Sequence, residues 1–177
     1  MEEICVTRLT ALAQLLDRFS ATIGKYISWL ALAMVLIQFL LVLARYVFGI
    51  GFIALQESVI YSFALLFMVG AADTLRRDGH VRIDILYEKL GEKGRAAINF
   101  LGSLFLLIPV CLVILILSWP YVSGSWQIME GSREGTGLPF LFLLKSLLLV
   151  FPITMILQGI ATILRSMSVL LRWEDMA

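Results

Sequence analysis

Four long apolar runs separated by short polar connections organise this chain. From Tyr26 to Ala44 the sequence is apolar apart from Ser28 and Gln38, and at 1.5 Å per residue such a helix crosses roughly 28 Å of hydrocarbon. Arg45 and Tyr46 close that run, and a connection through Gly49 and Gly51 leads to a second run that opens at Glu57. Its uncharged centre is short, so Asp73 and Thr74 are expected in the interface while Arg76 and Arg77 snorkel towards headgroups. A third run carries Pro109, which a transmembrane helix accommodates as a kink. The fourth is opened by Pro139 and interrupted by Lys145 and Pro152. The predicted spans are about 26–46, 57–75, 97–119 and 139–164.

Two weaker patterns flank these runs. Leu9, Leu12, Leu16, Phe19 and Ile23 recur at helical spacing with Arg8, Asp17 and Arg18 between them. Residues 4–24 therefore suit an amphipathic N-terminal helix, either lying along the interface or continuing into the first span. Between the second and third spans, Ile83, Leu86, Tyr87 and Leu90 share one helical face, with Gly91 placed as a stop. This predicts a short cytoplasmic amphipathic helix entered by a tight turn at Gly79, with Asp84 in its first turn. Residues 120–138, rich in Gly and Ser, read as an exposed connection. The fold expected is an all-α integral membrane protein, one membrane domain over residues 1–177. No signal-peptide pattern opens the sequence, and no repeat of transporter type runs through it.

Composition agrees with the pattern. Of 177 residues, 60% are hydrophobic and 15% charged, against roughly 25% charged in ordinary soluble domains. A net charge of +1 gives no reason to expect nucleic acid. Eleven Lys and Arg residues fall in the N-terminal segment, the middle loop and the tail, and two, Arg45 and Arg133, on the other side. The positive-inside rule then places both termini and the middle loop in the cytoplasm.

Chemistry-bearing residues are few. His80 is the single histidine, so a bis-histidine haem is excluded within this chain, and Cys5 and Cys111 have no metal or disulfide spacing. No nucleophile elbow, phosphate loop or mid-membrane carboxylate pair occurs; no catalytic residue, cofactor or metal is expected, and the chain is read as no enzyme. What remains are charges near the membrane edge, which mark a partner or a function because each is costly if left unpaired. Arg45 and Glu57 flank one short connection and are read as an ion pair across it, with a substrate contact as the alternative. Lys145, about six residues into the fourth span, needs a carboxylate such as Glu57, Glu130 or Glu134. Gln38 suits an interhelical hydrogen bond. Trp126, Glu130, Arg133 and Glu134 form either an interfacial anchor with solvated acids or a docking surface. His80 is positioned for pH sensing in principle.

The string Arg76-Arg77-Asp78-Gly79-His80-Val81-Arg82-Ile83-Asp84, following a second span, resembles the DctQ family, the small membrane subunits of tripartite ATP-independent periplasmic (TRAP) transporters. Arg45-Tyr46-Val47-Phe48-Gly49, Glu57, Gly70-Ala71-Ala72, Ser125-Trp126, Glu130 and Gly137-Leu138-Pro139 match as well, so the resemblance covers about residues 25–165. One departure stands out: the family often carries Pro and Trp ahead of the Glu, whereas here the connection reads Gly51-Phe52-Ile53-Ala54-Leu55-Gln56-Glu57. The resemblance implies a bacterial inner-membrane complex with a large multi-span subunit holding the substrate and coupling-ion sites, served by a periplasmic substrate-binding protein. Such systems import organic acids, commonly on a sodium gradient, and the small subunit resembles a scaffold. A self-sufficient homodimeric transporter is the competing reading, and Glu57, at the end of a span, suits it poorly.

Overall fold

The computed structural model describes residues 2–79, 87 and 90–174. Four helices within it are long and apolar enough to cross a membrane. Helix α1 runs Glu2–Phe48, α2 runs Ile53–Arg76, α3 runs Glu92–Gln127 and α4 runs Leu141–Glu174. No strand occurs among the described residues. The chain is therefore an all-α membrane protein.

α4 is the centre of the bundle. It packs against each of the other three helices, while α1 and α2 also pack against each other. Burial follows that arrangement: 28% of the apolar window of α4 is buried, against none of α1 and 6% of α3. The outward faces are apolar instead, with Trp29, Val35, Phe39 and Leu40 of α1 and Phe105, Ile116 and Leu117 of α3 all more than half exposed. Faces this apolar need lipid or protein around them, and continuous helices are what lipid permits, because each backbone N–H and C=O must be bonded within its own segment.

The helices outrun the apolar segments at most ends. Residues 4–24 belong to the same helix as the first apolar run, so of the two N-terminal alternatives the structure has the continuous one. At 1.5 Å per residue, the 47 residues of α1 extend roughly 70 Å, more than twice a hydrocarbon core. Gly91, expected as a stop, is the extended residue from which α3 starts. The opposite end of α3 continues past Trp119 to Gln127 and takes in Pro120, which shortens the expected connection of 120–138 to residues 128–140. Of the predicted middle helix, Ile83 and Leu86 lie outside the described residues; Tyr87 is helical and Leu90 lies in a bend.

Pro109 distorts α3 as a π turn over Ser103–Leu107, where the Ile108 N–H reaches back to the Ser103 carbonyl. Proline offers no N–H and its ring crowds the carbonyl four residues earlier, so a locally wider turn accommodates it. The same turn brings Leu107 onto Gly159 of α4, where an added Cβ would lie 2.6 Å from Leu107 Cδ2. Close helix approach at small residues is how membrane helices gain packing energy, since lipid removes the hydrophobic drive between them. A second such approach sets Gly24 of α1 against Asp73 of α2, where a Cβ would overlap the carboxylate side chain down to its own Cβ.

Candidate functional site

Polar side chains gather at two ends of the bundle, and each gathering is built by how a helix terminates. α3 ends in a Schellman turn: Met129 takes a left-handed φ of 45°, its N–H bonds the Trp126 carbonyl and the Glu130 N–H bonds the Ser125 carbonyl at 3.0 Å. This reversal turns Glu130 back over the last turn of α3. Its carboxylate accepts from the Ser125 hydroxyl at 2.8 Å and from the Lys145 ammonium. Lys145 also lies 4.2 Å from the centroid of the Tyr121 ring, and its side chain is only 14% exposed. The hydrogen bond from Lys145, then that from Ser125, holds the Glu130 carboxyl below the usual carboxylate range. Of the three partners expected for Lys145, Glu130 is the one present.

Glu57 does different work. It accepts from the Ser132 hydroxyl and, at 2.6 Å, from the Leu138 N–H, tying the 128–140 connection to the start of α2. That connection closes on itself through the Ser132 N–H to the Leu138 carbonyl at 3.0 Å and the Gly137 N–H to the Glu134 carbonyl at 2.9 Å. Gly137 is required by the closure, because a Cβ there would overlap Ser132 Oγ and Glu57 Oε1. One turn along α2, the Tyr61 hydroxyl is buried with no hydrogen-bond partner. The expected Arg45–Glu57 pair does not form: Glu57 is engaged by the connection, while Arg45 is exposed at the end of α1 and lines a separate pocket with Gln38 and Gln56. Gln38 thus faces that pocket.

Trp126 sits in the last turn of α3, where its indole N–H donates to Ser146 of α4 at 2.8 Å and its ring meets Phe142 edge-on at 4.7 Å. Arg133 and Glu134 are exposed on the connection. The structure therefore separates residues that look alike in sequence: Glu57, Glu130, Lys145 and Trp126 hold elements together, whereas Arg133 and Glu134 present free surface.

At the opposite end, Gln158 of α4 is fully buried. It accepts from Ser20 at 2.7 Å and donates to Asp17 at 2.9 Å, and Arg165 closes the group by donating to Asp17. Nearby, Arg76 and Arg77 both donate to the buried Asp73, at 2.9 and 2.8 Å, while the Arg77 side chain stays largely exposed. Sequence reasoning missed these groups. A lone Gln within the apolar run of α4 was the available signal for Gln158, of the kind that singled out Gln38. Gly79 lies just past the end of α2, where its N–H bonds the Thr74 carbonyl at 2.9 Å; the left-handed residue of that turn is Asp78, at φ 55°. His80, Arg82 and Asp84 lie outside the described residues.

Residues 34–169 match the family described as tripartite ATP-independent periplasmic transporters, DctQ component. The chain belongs to the DctQ family. It is the small membrane subunit of a TRAP transporter, and the family is one of transporter components, not enzymes. No match is found among curated proteins or solved structures. The matched region holds the whole Glu57–Ser132 and Glu130–Lys145 assembly, whereas Asp17, Ser20 and Gly24 precede it.

Proposed function

We propose that this DctQ chain is a scaffold that holds the large TRAP subunit during ion-gradient-driven uptake of an organic acid, delivered by a periplasmic binding protein. The observation that carries this reading is the internal engagement of the polar groups gathered at the two ends of its bundle. Lys145, Glu130, Glu57, Gln158, Asp17 and Asp73 each bond to another residue of the same chain. A transport site keeps polar groups available to the cargo, while a frame uses them to lock helices together. The long apolar outward faces then serve as the surface for the large subunit and for lipid.

In this reading the complex sits in the bacterial inner membrane with both termini and the middle loop cytoplasmic, an orientation supported by the Lys and Arg distribution. His80, Arg82 and Asp84 belong to that cytoplasmic loop and act in assembly. On the outer side, Arg133 and Glu134 offer the free charges for a salt-sensitive contact with the binding protein, with Glu130 shaping the loop from within. The test is reconstitution into liposomes of the large subunit with and without this chain, alongside this chain alone. The scaffold reading expects uptake only from the pair. Uptake by this chain alone, or undiminished uptake and folding of the large subunit without it, overturns the reading.

A further inference from the structure

The pocket at the Arg45 end of α1 has a chemistry that neither the fold nor the transport reading uses. The pocket, about 170 Å³, takes Arg45, Gln38 and Gln56 among its lining, so one cation and two carboxamides border it from α1 and α2. No acidic side chain lines it. The partner expected for Arg45, Glu57, is held by Ser132 and the Leu138 N–H. Leu41 and Phe52 form the wall of this pocket and also line a second, wholly apolar groove of about 290 Å³. That groove continues along Leu40, Ala44, Phe48 and Leu55.

A cation at the membrane edge without a carboxylate, beside an apolar groove that shares two of its lining residues, fits a ligand with an anion at one end and hydrocarbon at the other. The geometry points to a phospholipid site: the Arg45 guanidinium binds the headgroup phosphate through paired N–H donors, Gln38 and Gln56 offer amide donors beside it, and an acyl chain lies in the groove. Guanidinium and phosphate match in shape as well as charge. A net-negative headgroup is preferred over a zwitterionic one, because no carboxylate in the pocket balances Arg45 and none would receive a headgroup ammonium.

The test is native mass spectrometry of the assembled membrane complex, titrated with phosphatidylglycerol, with phosphatidylcholine, and with water-soluble glycerophosphate. The wild type is expected to retain phosphatidylglycerol above phosphatidylcholine. Arg45→Gln lowers that affinity about tenfold, on the scale of one charged hydrogen-bonded contact, and Arg45→Lys restores part of it. Leu55→Gln, on the exposed wall of the groove, weakens lipid binding without touching the cation, and Arg133→Gln, outside the pocket, leaves it unchanged. Equal binding by wild type and Arg45→Gln overturns the proposal. So does glycerophosphate competing as well as intact lipid, which makes the pocket a site for free anions. Cross-linking that sets Arg45 against a carboxylate of the large subunit, with lipid absent, also overturns it and assigns the pocket to a protein contact. None of these readouts is uptake, so they stand apart from whether uptake needs this subunit.

Discussion

Single residues at the charged ends carry more of this molecule than their number suggests. Glu130 accepts from Lys145 and Ser125, which keeps its carboxyl ionised to lower pH than usual. A carboxylate held below its unfolded value stabilises the fold fully above the ordinary carboxylate range and loses that contribution as pH falls through the depressed value. Thermal unfolding of the purified complex should therefore hold steady through neutral pH and drop on acidification. Glu130→Gln should lower the melting temperature at neutral pH and flatten the acid limb; an unchanged limb would remove the pair from the explanation. Glu57→Ala leaves the Leu138 N–H and the Ser132 hydroxyl without their acceptor, a loss of about 1–3 kcal/mol, read as lower complex yield and melting temperature. The need of Lys145 for a carboxylate was legible in the sequence, because a cation inside an apolar run must be compensated. Which carboxylate it meets was not, since Glu57, Glu130 and Glu134 are all near the same edge in sequence and only the reversal at Met129 brings Glu130 back.

Among the elements, α4 is distinguished by what it meets rather than by its own pattern. Gln158→Leu would look harmless in an apolar run, yet it leaves Ser20 and the Asp17–Arg165 pair of α1 and α4 without their middle partner. Interhelical hydrogen bonds in membranes average near 0.6 kcal/mol and reach about 1.7, so losing two should cost about 1–3 kcal/mol, measured by unfolding in detergent. The glycines give a sharper comparison. Gly24→Ala drives a methyl into the base of the Asp73 side chain, close to the α2 backbone, and overpacking of this kind costs about 1–3 kcal/mol. Gly159→Ala meets only the far end of Leu107, which can rotate away. Gly24→Ala should thus destabilise the α1–α2 pair clearly and Gly159→Ala slightly; the reverse order would contradict the packing described. The π turn belongs to this scale too: Pro109 announces a distortion in sequence, but that it takes the form of a π turn over Ser103–Leu107 is seen only in the structure.

For the whole molecule, cysteine labelling after Gly91 and after Gly131 should report opposite sides of the membrane, and identical accessibility would remove a span. Reversing both Arg133 and Glu134 should raise the apparent half-saturation concentration for loaded binding protein at low salt with assembly intact; an unchanged value leaves those charges as solvated surface. The sequence by itself determined that this is a four-helix membrane protein, because hydrocarbon demands long uninterrupted apolar helices and that demand is written locally, residue by residue; the resemblance to the DctQ family rested instead on the Arg76–Asp84 string and its companion motifs. Helix ends proved less legible: polar residues permit a helix to stop without requiring it, so α1 absorbed residues 4–24 and α3 continued to Gln127. Only the tertiary structure decided which charges meet. Glu57 left Arg45 for the 128–140 connection because pairing depends on where backbone N–H groups and hydroxyls arrive from residues some eighty positions away, and no local pattern encodes that distance.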